Sequence, residues 1–452
     1  MKTFTAKEIA SITNGTLLCG EGSTVITNIQ YDSRAVTDGS LFVPIRGEKV
    51  DAHKFIEQCM ENGAATFTEY DAPEGAERPF IKVDNTIAAL QRLAAAYRAG
   101  FPDLKLIGVT GSVGKTSTKE MIAAALSKGF DVMKTSGNKN SQIGMPSTMF
   151  DIEDGHEAAV IEMGVSMFGE MDRLCDVARP EYAVMTNIGV AHIENLKTRE
   201  NIMSEKLKIT KHFDKNGILF LNGDDALLRT LYGKQAFRTV SFGMSADNDY
   251  HAENVQTEGL CTSFDCCSGG RSVRYTIPAL GVHSVTNALA AIAVGEALGL
   301  DSSQIAKGLL TYKNAPMRQQ IIQHDGFTVI DDSYNSSPDA AKVSVDVLSE
   351  LSGGNDSIAV LADMLELGEK SAGSHYEVGL HLGKKGIKKL IAIGSESRKT
   401  AEGAKDGGCG EVYTCDSNDQ AYELLKTLIT KDCVILVKGS RGMHTDEIVK
   451  KL

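Results

Sequence analysis

The chain has 452 residues, 42% of them hydrophobic and 23% charged, with a formal net charge of −12 at pH 7. This length predicts roughly two to four globular domains, and the acidic balance argues against a general role in binding nucleic acids or membrane surfaces. The nine cysteines form no CxxC pair. The N-terminus has no signal-peptide core, and no segment approaches the ~20 apolar residues of a membrane span. We therefore expect a cytoplasmic protein with no membrane insertion, no disulfide framework and no zinc site.

Residues 1–84 mix short strand-like runs with one helix. The run GSLFVPI at residues 39–45 is typical of a strand, and HKFIEQCMENGA at residues 53–64 is typical of a helix. The next run, NTIAALQRLAAAYRAG, has an apolar stripe at helical spacing, ends at Gly100 and is followed by Pro102, which predicts a helix stop. This helix marks the entry into a second domain, which we assign to residues 85–313.

The second domain alternates apolar runs with helix-length segments. Its predicted strands are LKLIGVTG, AAVIEMG, EYAVMTNIG and GILFLNGDD, which end in Gly, Asn or Asp as buried parallel strands do. This alternation predicts a doubly wound sheet. Residues 241–279 change to a period-two pattern with a turn at Gly269 and Gly270, which predicts an antiparallel addition. The Ala-rich run SVTNALAAIAVGEALG then predicts a long helix.

Residues 314–452 restart the alternation of strands and helices. The predicted strands are FTVIDDS, SIAVLADM, KKLIAIG, EVYTC and CVILVKGS. No G-x-G-x-x-G follows the first of them, so a redox dinucleotide is not supported. The predicted fold is α/β with three domains: a small mixed α/β domain, a central parallel-sheet domain of the P-loop type, and a C-terminal Rossmann-like domain.

The segment GVTGSVGKTSTKEM at residues 108–121 has the character of a phosphate-binding loop. It departs from G-x-x-x-x-G-K-[ST], because Val109 stands where the first glycine is expected. The segment follows an apolar strand and opens a helix that we expect to end at Gly129. In that setting, backbone N–H groups attract phosphates, Lys115 reaches the β- and γ-phosphates, and the Thr116 hydroxyl can ligate Mg²⁺. The loop residues predicted to bind ATP are Thr110, Gly111, Ser112, Val113, Gly114, Lys115, Thr116 and Ser117.

The form T-G-x-x-G-K-T is used by the Mur ligases and their folylpolyglutamate synthase relatives, and the chain resembles this family along nearly its whole length. The segments that carry the resemblance are DSRAVTDGSLFVPIRGEKVDAHKF (32–55), TSGNKNSQIGMP (135–146), GVHSVTNALAA (281–291), DDSYNSSP (331–338), LADMLELG (361–368) and VKGSRGM (437–443). The resemblance implies an ATP-dependent ligase that phosphorylates a carboxylate to an acyl phosphate, which an amine then attacks. The last three segments imply UDP-N-acetylmuramoyl-tripeptide and D-alanyl-D-alanine as the substrates, in peptidoglycan precursor synthesis.

The resemblance also implies ATP and two Mg²⁺ ions at the catalytic centre. Glu162, at the end of the run AAVIEMG, and His192, which we expect at another strand's end, are implied as metal ligands beside Thr116. Lys206 is implied to react with CO₂, giving a carbamate that ligates the second metal, and this reaction requires a neutral amine. The nearby Lys208 and Lys211 leave the identity of that lysine open. The implied catalytic residues are Lys115, Glu162, His192 and Lys206.

The remaining implied contacts concern the rest of the nucleotide and the two substrates. The nucleotide contacts are Asn287 for adenine, Arg318 for phosphate, Asp332 for ribose and the adjacent Tyr334. The first domain is expected to bind the uridine diphosphate moiety, and the third to lie beside D-alanyl-D-alanine. The implied substrate-binding residues are Ser33, Arg34, Asp51, His53, Asn138, Asn140, Asp363, Lys438 and Arg441.

Several positions depart from the family pattern and keep two alternatives open. Ala52 stands where Gly is typical, Ser141 replaces an expected Asn, and Ser336-Ser337 replaces Ala-Asn. One alternative is a Mur or folylpolyglutamate-type ligase with another amino-acid acceptor. The other is a P-loop binding protein without ligase chemistry. We expect a monomer whose third domain closes over ATP.

Overall fold

The computed structural model describes residues 1–47 and 49–452; Glu48, within the segment at 32–55, lies outside them. In this described part, no helix is both long and apolar enough to traverse a lipid bilayer. Three α/β regions follow one another along the chain, each built on its own sheet.

The N-terminal region is a small mixed sheet beside a two-stranded ribbon. Its elements are β1 (Phe4–Thr5), α1 (Ala6–Thr13), β2 (Thr16–Cys19), β3 (Val25–Ile26), β4 (Asn28–Gln30), β5 (Ser40–Phe42), α2 (Ile56–Glu61), β6 (Ala65–Thr68) and β7 (Phe80–Lys82). The ribbon joins β1 and β3, and the sheet has the order β2-β7-β6-β5-β4. The strand predicted at residues 39–45 is confirmed. The predicted helix is shorter than expected, because a 3₁₀ turn at Ala52–Phe55 precedes it.

The central region is built on one large sheet. Its elements are α3 (Thr86–Ala99), β8 (Lys105–Thr110), α4 (Lys115–Leu126), β9 (Val132–Lys134), α5 (Gly144–Met149), β10 (Ala158–Glu162), α6 (Glu170–Ala178), β11 (Tyr182–Met185), α7 (Ile193–Leu196), α8 (Arg199–Leu207), β12 (Ile218–Asn222), α9 (Ala226–Arg229), β13 (Arg238–Gly243), β14 (Tyr250–Glu258), β15 (Cys261–Ser268), β16 (Arg271–Ile277), α10 (Val282–Ala297) and α11 (Ser302–Leu309). The strand order is β16-β15-β14-β13-β12-β11-β8-β10-β9. The strands from β9 to β14 pair in parallel, and β14, β15 and β16 pair antiparallel. The predicted antiparallel addition therefore begins at β14 and continues the main sheet.

Both faces of the central sheet are covered around strands β8, β10, β11 and β12, which is why these strands have nearly continuous hydrophobic runs. Leu106 in β8 packs in one cluster with Leu93 and Leu174, and its neighbour Ile107 packs in another with Ile122. Successive side chains of a strand point to opposite faces, so a strand covered on both sides must be apolar throughout. This packing fixes the carboxyl edge of the sheet, where polar residues follow each strand.

The C-terminal region repeats the alternation on a smaller sheet. Its elements are β17 (Gln320–His324), β18 (Phe327–Asp331), α12 (Pro338–Ser352), β19 (Ser357–Ala362), α13 (Ser371–Lys384), β20 (Lys389–Ile393), α14 (Ser397–Asp406), β21 (Glu411–Cys415), α15 (Asn418–Leu428), β22 (Cys433–Lys438) and α16 (Asp446–Lys451). The order is β17-β18-β22-β19-β20-β21, and β17 is antiparallel to its neighbour. All five predicted strands are present. The additional edge strand β17 is half-exposed and mostly polar at its ends.

We propose the boundaries 1–84, 85–313 and 314–452 for the three domains, since each range contains one complete main sheet. The helix α3 packs against both the first domain and the rest of the second. It shares one core cluster with Ile9 and Val83 of the first region and with Leu106 of the second. The first domain is therefore anchored to the central one through a continuous hydrophobic core.

Candidate active site

The loop between β8 and α4 owes its shape to Gly111 and Gly114, whose φ angles are 152° and 83°. A Cβ at Gly111 would lie 1.9 Å from the Thr186 hydroxyl oxygen, so only glycine fits there. Val109 is instead a fully buried strand residue that packs in the same cluster as Ile122 of α4. The tight turn of this loop therefore begins at Gly111. Position 109 still belongs to the buried strand, so it carries a valine where the usual pattern has a glycine.

Lys115 folds back over this loop at the start of α4. Its amine donates to the carbonyl oxygens of Gly111 at 2.9 Å and Ser112 at 3.3 Å. Burial lowers the pKa of Lys115, and the Glu162 carboxylate opposes that effect. Among the described residues, no side chain caps the N-terminus of α4. Its first-turn N–H groups are therefore available to an anion. The helix ends at Leu126 rather than at the predicted Gly129, whose N–H bonds to the Leu126 carbonyl.

Asn187 supports the loop from the neighbouring strand β11. Its side-chain oxygen accepts hydrogen bonds from the backbone N–H groups of Ser112 at 3.1 Å and Val113 at 2.8 Å. The Thr186 hydroxyl donates to the Val113 carbonyl at 2.6 Å. The sequence interpretation missed both residues, although a polar pair directly after a buried strand is the same signal that identified Glu162.

Glu162 lies on the other side of the loop, at the end of β10. Its side chain is buried, with Oε2 accepting from the Thr116 hydroxyl at 2.9 Å and Oε1 from the Asn140 amide at 2.6 Å. The backbone N–H of Glu162 donates to the Thr135 hydroxyl at 2.9 Å. Because β10 and β11 flank β8, the sheet order brings Glu162 and Asn187 to opposite sides of the phosphate loop.

His192 does not lie at a strand's end as expected. It follows the loop after β11 and precedes α7, in a left-handed conformation with φ 59°. Its Nδ1 lies 3.2 Å from Oε2 of Glu366, a residue of the C-terminal domain. Burial lowers the pKa of His192, and Glu366 opposes that effect. Glu366 stands in the segment LADMLELG, whose other acid, Asp363, is the one that the family resemblance implies as a substrate contact.

The structure separates Lys206 from the two lysines that compete with it in sequence. Lys206 is 2% exposed, and burial together with the charge of Lys115 holds its pKa well below the ordinary value for lysine. Lys208 pairs with Asp172 at 2.8 Å and Lys211 with Asp176 at 2.7 Å, both near the surface. Of the three, Lys206 alone has the environment that favours a neutral amine.

The central and C-terminal domains meet at a cavity of about 630 Å³. The Arg318 guanidinium lies 4.2 Å from the centre of the Tyr334 ring, and the Asn287 oxygen accepts from the Thr118 hydroxyl at 2.9 Å. Asp332 accepts from the Lys438 amine and from the Ser344 hydroxyl, both at 2.5 Å. The predicted site residues that line this cavity are Ser112, Val113, Gly114, Lys115, Thr116, Ser117, Asn140, Glu162, His192, Asn287, Arg318, Asp332, Tyr334, Lys438 and Arg441.

Other predicted residues lie away from the cavity wall. In the first domain, Arg34 pairs with Asp32, and His53 bonds to Asp51 at 2.6 Å. Asp363 accepts the N–H of Ser397 at 2.7 Å, at the start of α14. The predicted residues that do not line the cavity are Thr110, Gly111, Lys206, Ser33, Arg34, Asp51, His53, Asn138 and Asp363.

The chain matches three family models in order. These are "Mur ligase family, catalytic domain" over residues 25–98, "Mur ligase middle domain" over 109–295, and "Mur ligase, glutamate ligase domain" over 317–441.

Similar full-length proteins include two that are named UDP-N-acetylmuramoyl-tripeptide–D-alanyl-D-alanine ligase. The one from Bacillus subtilis (strain 168) is 38% identical over 453 residues, which cover 99% of this chain and 98% of that protein. The one from Escherichia coli (strain K12) is 32% identical over 459 residues, covering 100% and 99%.

Two solved structures are similar over almost the whole fold. MurF from Acinetobacter baumannii superposes with a TM-score of 0.91 at 30% identity, covering 100% of this chain and 99% of the other. MurF from Thermotoga maritima, crystallised in complex with ADP, gives 0.83 at 28% identity, covering 94% and 96%.

Proposed function

Since the chain belongs to the Mur ligase family, we propose that it joins D-alanyl-D-alanine to UDP-N-acetylmuramoyl-tripeptide. The chain is an ATP-dependent ligase that forms a carbon–nitrogen bond in peptidoglycan precursor synthesis. The observation that carries the proposal is the arrangement of Lys115, Thr116 and Glu162 around one phosphate loop. That arrangement occurs in a chain 38% identical from end to end to a ligase of this name.

We assign the triphosphate to the loop at residues 111–117. The uncapped N-terminus of α4 and the Lys115 amine both present positive charge there. The rest of the nucleotide would lie between the domains, against Asn287, Arg318, Asp332 and Tyr334. Asp332 reaches the cavity already bonded to Lys438, so its carboxylate is held in one orientation for a ribose hydroxyl.

The residues around Glu162 fit Mg²⁺. A buried carboxylate and the Thr116 hydroxyl lie within 2.9 Å of each other, and such oxygen donors are the ligands that Mg²⁺ prefers. His192 and a carbamate at Lys206 would complete a second metal site. When bound, these ions would neutralise charge on the phosphates and on the substrate carboxylate.

We propose that Lys206 is the carbamylated lysine. The neutral amine nitrogen would bond to the carbon of CO₂ and release one proton, which leaves an anionic carbamate. The burial of Lys206 and the lowered pKa of its amine support this assignment, and surface ion pairs disfavour Lys208 and Lys211. A ¹³C NMR spectrum in ¹³C-labelled bicarbonate should show one carbamate signal that is absent from K206A and present in K211A.

Substrate binding is divided between the outer domains in this proposal. Residues 1–84 would bind the uridine diphosphate moiety through Ser33, Arg34, Asp51 and His53, and Asn138 and Asn140 would meet the peptide end. D-alanyl-D-alanine would enter beside Lys438 and Arg441, which line the cavity, with Asp363 behind them. We propose that the enzyme works as a monomer in the cytoplasm.

The protein groups mainly position and shield the reactants. Lys115 and the uncapped N–H groups in the first turn of α4 would hold the γ-phosphoryl against the tripeptide carboxylate. The resulting acyl phosphate would lie where the amine of the dipeptide arrives. Glu366 reaches across from the C-terminal domain to His192, so the contact that orients His192 forms only when the two domains meet. Closure would thereby exclude water from the acyl phosphate.

A coupled phosphate-release assay tests the proposal. Wild-type protein should release phosphate only when ATP, Mg²⁺, UDP-N-acetylmuramoyl-tripeptide and D-alanyl-D-alanine are all present, and hydroxylamine should trap the activated carboxylate. Lys115→Ala should abolish turnover, and Lys128→Ala, which changes an exposed lysine after α4, should not. Phosphate release that ignores the dipeptide, or turnover with a folate substrate instead, would overturn the assignment.

A further inference from the structure

A second cavity, of about 740 Å³, lies on the antiparallel strands β14, β15 and β16. These strands form one lateral end of the central sheet, and β8, which leads into the phosphate loop, lies near the other end. Within the described ranges, it shares no lining residue with the catalytic cavity. Three side chains of different chemistry meet at this cavity: His251, Glu253 and Cys267. The proposed ligase reaction uses none of them.

The strand register places these three side chains on one face. His251 and Cys267 are direct partners across β14 and β15, and Glu253 follows His251 by the spacing that returns to the same face. Their immediate neighbours Ala252 and Cys266 point the other way, into the core. The geometry is therefore a property of the sheet and does not depend on a loop.

The distances between the three groups suit one small cation. One ligand atom from each residue lies within 4.8 Å of the others, and His251 Nε2 is 3.6 Å from Glu253 Oε1. Zinc bond lengths of about 2.0–2.3 Å in a tetrahedron place ligand atoms roughly 3.3–3.7 Å apart. The imidazole and carboxylate already have that separation, and the Cys267 sulfur lies within 4.8 Å of a ligand atom of each.

The surrounding contacts orient His251 and Cys267 for metal binding. His251 Nδ1 lies 3.3 Å from the Asn248 carbonyl oxygen, and this contact orients the ring so that Nε2 faces Glu253. Histidines that bind metals are typically oriented by this kind of backbone contact. The Cys267 sulfur lies 3.6 Å from the Ser272 hydroxyl, which could donate to a thiolate. Arg271, the cation nearest in sequence on β16, is directed to Glu296 at 3.5 Å.

We propose that His251, Glu253 and Cys267 form a binding site for a single zinc-class divalent cation, with its fourth position open to the cavity. Thiolate and imidazole ligands favour such ions over Mg²⁺, which the oxygen-rich catalytic site would take. The expectation that the chain has no zinc site rested on the absence of paired cysteines. A site that uses one cysteine and two other residue types, brought together by strand pairing, has no such spacing signal.

Cobalt titration of the metal-free full chain tests this proposal, because a cobalt–thiolate bond absorbs in the near ultraviolet. No cysteine among the described residues lines the catalytic cavity, so cobalt bound there would not give this band. We expect wild-type protein to develop the band with one equivalent of Co²⁺ and to lose it when Zn²⁺ is added. Cys261→Ser, which changes another partly exposed thiol of β15, should behave like the wild type.

Three variants of the site decide the outcome. Cys267→Ser should lose the band completely, and His251→Ala and Glu253→Gln should each weaken cobalt affinity at least tenfold. Dipeptide-dependent phosphate release by Cys267→Ser should equal that of the wild type, which would show that the variant is folded. A wild-type protein without the band, or a band that survives in Cys267→Ser, would overturn the proposal.

Discussion

Replacing Lys438 tests how the C-terminal domain holds Asp332 in the nucleotide cavity. Lys438 is 2% exposed and Asp332 8%, and the Lys438 amine lies 2.5 Å from Asp332 Oδ2. The same carboxylate oxygen accepts the Ser344 hydroxyl, and the amine also donates to the Asn335 carbonyl at 3.0 Å. Each charge of this buried pair is therefore compensated mainly by the other.

Removing one partner of a buried ion pair costs about 3–5 kcal/mol, because the remaining charge is left without compensation. We expect Lys438→Met and Asp332→Asn each to lower the free energy of unfolding of the C-terminal domain by that amount. The double variant should be less destabilised than the sum of the two by about 2–3 kcal/mol, since contacting residues couple. Lys399→Met is the matched control, because Lys399 pairs with Glu402 at the surface and such a pair contributes at most about 1 kcal/mol.

Urea unfolding followed by far-ultraviolet circular dichroism measures these differences, and calorimetry measures ATP binding by the same variants. Both single variants should also bind ATP more weakly, since the orientation of Asp332 depends on the pair. The reasoning is refuted if Lys438→Met is no less stable than Lys399→Met. It is also refuted if the destabilisation of the double variant equals the sum of the destabilisations of the two single variants.

Three further predictions concern Lys206, Glu366 and His283. Lys206→Ala should lose ligase turnover in the phosphate-release assay and Lys211→Ala should retain it; equal losses would contradict the assignment of the carbamate. Glu366→Gln should lower kcat about tenfold, which is about 1.4 kcal/mol in the barrier, with unchanged ATP affinity. The exposed Glu369→Gln is its control, and equal kcat values would show that the contact with His192 is dispensable. His283, in the first turn of α10, lines the catalytic cavity. Burial lowers its pKa, so below pH ~6.5 the unfolded chain binds a proton that the folded chain does not. Unfolding free energy should therefore fall by about 1.4 kcal/mol per pH unit as the pH drops from there toward the folded pKa. In urea titrations at several pH values, the unfolding free energy of His283→Gln should fall less with decreasing pH than that of the wild type. An equal fall in both proteins would contradict this prediction.

Burial on two faces leaves a continuous apolar run in the sequence, and this rule predicted β8, β10, β11 and β12 of the central sheet and β18 to β22 of the C-terminal sheet. The short strand β9 of the central sheet was not predicted. The same rule identified Glu162, since a charged residue that ends such a run must lie at the sheet edge. It failed for β17, an edge strand that is half-exposed and carries no such run. The period-two pattern starts within β13, so the sequence prediction wrongly assigned part of that parallel strand to the antiparallel addition.

Contacts between distant parts of the chain could not be predicted from local patterns. The loop needs its glycine at position 111 rather than 109, because Gly111 lies against Thr186, which follows strand β11. The choice among Lys206, Lys208 and Lys211 depends on which of them faces the core. Lys206 lies in α8, but Lys208 and Lys211 lie in and after the 3₁₀ turn at Lys208–Thr210, so no single helical stripe relates the three. The approach of Glu366 to His192 joins two domains, so no single segment contains it.

The hydrogen bonds that the phosphate loop donates to the Asn187 side-chain oxygen affect how quickly the enzyme can bind its nucleotide. Two amides of the loop are satisfied by a side chain of the folded protein, so the loop has its curvature before any anion arrives. The loop therefore loses its conformational entropy once, when the protein folds, and does not lose it again each time a nucleotide binds. Each round of synthesis would begin with a preformed phosphate loop, and movement of the C-terminal domain, rather than rearrangement of the loop, would set the rate.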